Sequence, residues 1–409
     1  MRGNENVWTL AKGPLSRDPF RWFFMGRMLS LFGSAMTPIA LAFAVLQSRQ
    51  GPQLLGYILA AQLLPHTLFL LVGGSVADRY RRDRLIMLGN MGAGLSQAAI
   101  AAVVLTDSDP AWIILLAIVN GVLEAFTGPA MRGIVPELVD VPEIKNANAL
   151  LNAVRGVARM VGPIAGGMFV STIGGGWAIV IDASSFFLSA VFMSRVHLPS
   201  HVVSHHDPLA IVVRQGWDTF RHSEWIWPLT GAWSIMNALQ MGAWQVLGPF
   251  YAKDTFGATG WGVALSMRAL GVFLGSLFMW RLRISYPLRT AMMAAAIMGL
   301  PMIVLGQGLS LSYLLGSVLM AGFGASVSDV LWNTTLQQRM PSEVLSRIMA
   351  FDDLGAYMLI PVGEIVAIPC ANRWGLHPVE MVAGVAFMMT ALTPLCLRQI
   401  RRMTVSAES

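Results

Sequence analysis

Apolar and polar residues alternate along this chain in long blocks rather than with a short period. Twelve apolar runs occupy residues 20–47, 54–77, 84–106, 111–135, 147–173 and 176–197, then 225–251, 258–281, 289–308, 311–336, 346–371 and 377–398. About 20 apolar residues are enough for an α-helix to cross the hydrocarbon layer. No water is available there to satisfy peptide groups, so such runs must be helical. A polar stretch at 198–224 divides the runs six and six, the arrangement expected of two related halves. The pattern predicts an all-α membrane protein with twelve transmembrane helices in two pseudo-symmetric six-helix bundles. The bundles take residues 20–197 and 225–398, joined by a cytoplasmic linker at 198–224, with an arm at 1–19 and a tail at 399–409.

Composition agrees. The chain is 55% hydrophobic and only 12% charged, against about 25% charged in soluble domains. Basic residues give the orientation. With both termini inside, cytoplasmic segments hold 21 Lys and Arg, and external loops hold three: Arg49, Lys253 and Arg373. Trp22, Trp225, Trp227 and Trp280 would form the inner aromatic belt, and Trp112, Trp177, Trp261 and Trp374 the outer one. The net charge of +6 is spread over membrane-side loops, which does not suggest nucleic acid. Of the 28 basic residues 25 are Arg, a bias that suggests a GC-rich bacterial genome and hence a bacterial inner membrane. Residues 1–19 lack an apolar signal-peptide core, and Val7, Trp8, Leu10 and Ala11 could lie on the membrane surface. Cys370 and Cys396 fall near opposite membrane faces, too far apart for a disulfide.

The linker has its own pattern. Leu209, Val212, Val213, Trp217 and Phe220 fall at helical spacing, with Arg214, Asp218 and Arg221 opposite, which predicts an amphipathic helix on the membrane. His197, His201, His205, His206 and His222 lie around it without ligand-like spacing. No metal site or cofactor is expected.

Ionisable groups inside a bilayer cost about 2.5–3.5 kcal/mol each, so they usually have a purpose. Arg27, Glu124, Arg155, Arg159, Asp182, Arg268, Asp329 and Glu364 are embedded in the apolar runs. Four runs carry polar stripes stepping by three or four: Arg27, Ser30, Ser34 and Thr37; Asn120, Glu124 and Thr127; Trp233, Asn237, Gln240 and Trp244; Ser326, Asp329, Asn333 and Gln337. Isolated polar residues are commonly glue between helices. Four stripes recurring on every third run are harder to dismiss in that way, and the interior Trp332 suits a soft apolar pocket beside them. Arg155 and Arg159 could bind an anion or neutralise Glu124, and both readings stay open.

The spacing Gly74-xxx-Asp78-Arg79-xx-Arg82, placed in the turn between the second and third runs, resembles the signature loop of the major facilitator superfamily. Gly162-Pro163-Ile164-Ala165-Gly166-Gly167 resembles the G-P-x-x-G-G motif of its exporter branches. The stretches 129–139, 146–150, 181–186 and 337–343, with Ser346-Arg347-Ile348 and Asp352, are similar to macrolide-efflux and enterobactin-exporter-like proteins. The resemblance covers nearly the whole chain. It implies the major facilitator fold, with a cavity between the first, fourth, seventh and tenth helices. It also implies gating by Gly74, Asp78, Arg79, Arg82, Gly162, Pro163, Gly166 and Gly167. Three features depart from the family pattern. Ser34 stands where that branch often has an acid, Ala117 where many antiporters carry a basic residue, and 275–289 lacks the second signature Asp. The proton-coupling candidates are therefore read from position: Glu124 first, then Asp329 and Glu364.

These observations make a proton-coupled exporter the preferred reading, an antiporter of amphipathic drugs or secondary metabolites by alternating access. Multidrug efflux and antibiotic resistance would follow. The expected partners are a small amphipathic substrate, protons and the lipid bilayer, with no nucleic acid, and the protein is expected to be a monomer. The alternatives are an importer or uniporter on the same fold, and a non-transporting membrane sensor or chaperone. No nucleotide loop, metal triad or activated nucleophile is visible, so an enzyme is not expected.

Overall fold

The computed structural model of the chain describes residues 13–47, 51–198, 217, 220, 221, 223, 225–279, 284–340 and 342–404. Its twelve long helices coincide with the twelve apolar runs. They are α1 (Asp18–Gln47), α2 (Gly51–Arg79), α3 (Arg82–Leu105), α4 (Ala111–Gly133), α5 (Ile144–Ile173) and α6 (Gly175–Met193). After the linker, α7 runs as Ile226–Gln240, a π-helical turn Met241–Leu247, and Gly248–Thr255. Then come α8 (Gly257–Met279), α9 (Pro287–Ala296 and Leu300–Gly306), α10 (Leu311–Arg339), α11 (Ser342–Tyr357 and Ile360–Trp374) and α12 (Leu376–Leu392). Among the described residues, ten helices are long and apolar enough to cross a membrane, and there is no strand.

The interruptions in α7, α9 and α11 share a cause. Each lies just before a proline: Pro249, Pro301 and Pro361. Proline supplies no N–H and its ring crowds the carbonyl four residues back. Those carbonyls belong to Gln245, Ile297 and Tyr357, which lie in or at the edge of the irregular turns.

The chain forms two compact units, Met1–Leu54 with Ala61–Ser204, and Leu55–Ala60 with His205–Ser409. Their turns repeat. Gly174 joins α5 to α6 at φ 87°, ψ 158°, and Gly375 joins α11 to α12 at φ 89°, ψ 151°, a region open essentially to glycine alone. Asp107 after α3 and Gly308 after α9 are both left-handed, at φ 49° and 64°. Each closes its helix with the same paired bonds, Ser108 N to Val103 O at 3.1 Å and Leu309 N to Val304 O at 3.2 Å. The same four-helix turn grammar thus recurs six helices later.

Within the first unit, α1 packs against α5 and α6, and α3 against α4 and α6. Glycine makes these approaches close. The Gly162 and Gly166 face of α5 meets Ala35 and Met36 of α1, and Gly121 of α4 faces the Gln62 carbonyl of α2, where a Cβ would stand 2.0 Å away. In the second unit, α8 and α10 cross on Gly271 and Gly322, each against a backbone carbonyl of the other helix. There α9 also packs against α10 and α12, and α7 against α11 and α12.

Trp261 does not join an outer aromatic belt. It is 1% exposed and packs on Trp244 with ring centroids 4.4 Å apart. It fits because Gly248 leaves room: a Cβ there would lie 2.2 Å from the Trp261 ring. Trp112, Trp177 and Trp374 are exposed. The expected linker helix lies largely outside the described residues, as do Trp280, His201, His205, His206 and His222, and Val7, Trp8, Leu10 and Ala11 of the arm. Trp217 and Phe220, which are described, stack on each other at 6.0 Å and both rest against Phe351.

Candidate functional site

In the first unit, one embedded charge feels two others, each from a different helix. Arg27 of α1 feels both the Arg155 guanidinium of α5 and the Glu124 carboxylate of α4. Arg155 also donates to Asn152 Oδ1 at 3.2 Å. Glu124, Ser34 and Arg159 are exposed on the protein surface of this unit, and Asn120 is half-buried. Neither expected stripe keeps all its members. Ser30 is buried and donates to the Arg27 carbonyl at 3.1 Å. Thr37 turns to α6 and donates to Asp182 Oδ2 at 2.5 Å. Thr127 donates to the Leu123 carbonyl and fills the space beside Gly89 of α3. Along a helix a step of three turns the stripe back by about 60° and a step of four turns it forward by about 40°, so neighbouring members of a stripe can face different helices.

Asp182 is fully buried, with Thr37 Oγ1 and Ser185 Oγ around it. Gly33 of α1 is what admits it, because a Cβ there would stand 2.5 Å from Asp182 Oδ1. This residue ties α1 to α6 rather than facing the Arg27 group.

At the turn between α2 and α3, Arg79 is exposed. Arg82 donates to the Gly133 carbonyl at 2.5 Å and pairs with Glu137 at 2.7 Å, anchoring the turn to the segment that follows α4. Beside it, Arg81 pairs with Asp83 at 2.7 Å, and this hydrogen bond raises the Arg81 guanidinium above its ordinary pKa. Gly74 and Asp78 lie in α2, and their surroundings fall outside the described side chains. Gly162, Pro163, Gly166 and Gly167 are buried, with Gly162 and Gly166 forming the smooth face against α1.

In the second unit, the α7 residues diverge. Trp233 packs on the core. Asn237 donates to the Ala356 carbonyl at 3.1 Å. Gln240 turns its carbonyl to Arg268 of α8, within 3.2 Å of Nη1. Trp244, Gln240 and Arg268 line one small cavity. On α10, Asp329 is exposed and accepts from Asn333 at 2.9 Å, whereas Trp332 is buried and donates to Asp352 Oδ2 of α11 at 2.9 Å. Glu364 of α11 is 5% exposed, and its Oε2 has no partner among the described residues.

The sequence profile of the Major Facilitator Superfamily matches residues 23–364. The chain belongs to this superfamily. It is accordingly a multi-pass membrane transporter and not an enzyme. Among curated relatives, the multidrug efflux pump Tap of Mycolicibacterium fortuitum is 24% identical over 407 residues, covering 96% of this chain and 98% of the pump. The enterobactin exporter EntS of Escherichia coli O1:K1 is 25% identical over 429 residues, covering 99% of this chain and all of the exporter. Among solved structures, a mutant of nucleoside transporter NupG superposes with a TM-score of 0.75 at 12% identity, covering 92% of this chain and 99% of that one. A peptide transporter POT structure gives 0.76 at 12% identity, covering 98% and 100%. These structural likenesses speak for the fold.

Two buried acids of this facilitator-superfamily chain went unnoticed as sites. Asp352 accepts from Thr230 Oγ1 at 2.5 Å as well as from Trp332, joining α7, α10 and α11. Its signal is spacing: Ile348 and Ala356, four residues to either side, are both buried. Glu380 of α12 is 0% exposed, and neither oxygen has a partner among the described residues. It shares an apolar face with Ala383 and Gly384, although the short distance to the turn at Gly375 disguises it as a helix-end acid.

Proposed function

We propose that this superfamily member is a proton-coupled exporter of small amphipathic molecules, working by alternating access from a bacterial inner membrane with both termini cytoplasmic. The observation that carries the reading is the charge group of α1, α4 and α5, where the Glu124 carboxylate and the Arg155 guanidinium both act on Arg27. A proton on Glu124 removes the attraction that favours the charged Arg27 and leaves the repulsion from Arg155. Proton binding and the arrangement of three helices are then linked, and any substrate that prefers one arrangement is coupled to the proton by the same free energy. Export is supported by the relatives, a multidrug efflux pump and an enterobactin exporter. The chain is rich in methionine, with 26 residues, and carries Trp233 and Trp244 in α7, soft and aromatic surfaces suited to varied substrates.

The test uses the purified protein in liposomes with an imposed pH gradient and a fluorescent amphipathic dye. Glu124→Gln should abolish gradient-driven efflux while keeping dye exchange without a gradient. Undiminished gradient-driven efflux by Glu124→Gln would remove Glu124 as the carrier. The reading would then pass to Glu364, whose buried and unpartnered oxygen is the specific observation in its favour, and after it to Asp329.

A further inference from the structure

The second unit holds a charge for which the helices around it provide no opposite. Arg268 stands in the middle of α8, and the group that meets it is the neutral Gln240 amide, whose oxygen can accept from the guanidinium once the amide is turned toward it. Among the described residues no carboxylate pairs with it. A guanidinium is always charged and carries five N–H donors, of which one carbonyl can satisfy two at most. An uncompensated charge at membrane depth is strongly unfavourable. Beside it, Trp244 is 3% exposed, and its Nε1–H has no acceptor among the described residues, although buried N–H groups almost always find one. Both side chains line the same cavity, walled by Met298, Met302 and Ala321, with room for roughly one water molecule.

The backbone positions these donors. Trp244 sits within the π-helical turn Met241–Leu247, a distortion that recurs at functional sites. Its ring is held by Trp261 at 4.4 Å, so the indole N–H is oriented before anything binds.

We infer that this pocket is a subsite for a single anionic acceptor atom, held between the Arg268 guanidinium and the Trp244 indole N–H. The atom is a carboxylate or phenolate oxygen of the transported molecule, or a free halide of similar size. A water could accept from the indole, but it would leave the guanidinium uncompensated; an anion does both. The inference rests on the transporter reading and gives its substrate a chemical class, an apolar body with an acidic group.

Purified full-length protein in detergent is titrated with naphthoate against naphthamide in low-salt buffer free of halide and carboxylate, and separately with sodium chloride. Binding is read as thermal stabilisation. Naphthoate should bind about 10-fold more tightly than naphthamide, the order expected of one charge-assisted hydrogen bond. The preference should fall toward parity in Trp244→Phe, which keeps the ring and removes the donor, and in Arg268→Gln. Saturable stabilisation by chloride that both variants lose would establish the same site with a free halide as occupant. Equal binding of acid and amide with no chloride effect, or a preference fully retained by Trp244→Phe, would overturn the subsite and leave a bridging water as the acceptor. Dye efflux separates the two claims. Gradient-driven pumping without anion preference fails the subsite alone, and anion preference without gradient-driven pumping fails the exporter reading alone.

Discussion

Asp352→Ala should destabilise the second unit through Trp332 rather than through Thr230. The carboxylate accepts from Trp332 Nε1 at 2.9 Å and from Thr230 Oγ1 at 2.5 Å. Thr230 can fall back on the Ile226 carbonyl, 3.2 Å away. Trp332 has no such alternative among the described residues and is 8% exposed, so its N–H is left without an acceptor. An orphaned buried donor costs about 1–3 kcal/mol, and the small void adds to it, giving about 2–3 kcal/mol for the single change. Trp332→Phe in the same background removes the orphan. The double variant should therefore be about 1–2 kcal/mol more stable than the sum of the single effects predicts. Equilibrium unfolding in mixed detergent micelles, followed by far-ultraviolet circular dichroism, measures all four corners of the cycle. Additivity within about 0.5 kcal/mol would refute the argument, because it would mean that the indole and the carboxylate do not depend on each other.

Glycine contacts give a contrast within one helix. Gly121→Ala, whose Cβ would stand 2.0 Å from the Gln62 carbonyl, should cost about 1–3 kcal/mol, whereas Gly128→Ala, with nothing within 4 Å, should be near neutral; the same unfolding assay compares them. Asp78→Asn should leave the protein folded and slow dye efflux, as the signature-loop resemblance implies, and wild-type rates in a properly inserted variant would count against that role. Cys370 and Cys396 are free thiols, the first half-buried and the second exposed, so a maleimide should modify Cys396 faster, and intact mass should show no internal bridge.

Much of this architecture was legible in the residues. The all-helical membrane fold and the superfamily depend on local properties: run length, the positions of arginines, and short motifs such as Gly162-Pro163-xx-Gly166-Gly167. Lipid makes these properties decisive, because a backbone in hydrocarbon must bond to itself within a single helix or a closed barrel. Even the irregular turns had a local sign in Pro249, Pro301 and Pro361, although where the helix yields, and whether it becomes π or breaks, depends on its neighbours.

The direction in which each polar residue faces was not legible. Ser30, Ser34 and Thr37 share a stripe on paper, yet Ser34 is exposed while Thr37 is taken by Asp182. Glu124 and Thr127 divide in the same way between the Arg27 group and Gly89. Trp261 reads as an interfacial residue and is instead buried against Trp244. Periodicity assigns residues to a face of their own helix; it carries no record of which helix lies opposite. That pairing comes from close contacts between residues distant in sequence, and only the folded bundles decide which carboxylate meets an arginine, which meets a tryptophan, and which, like Glu380, is enclosed with no partner among the described residues.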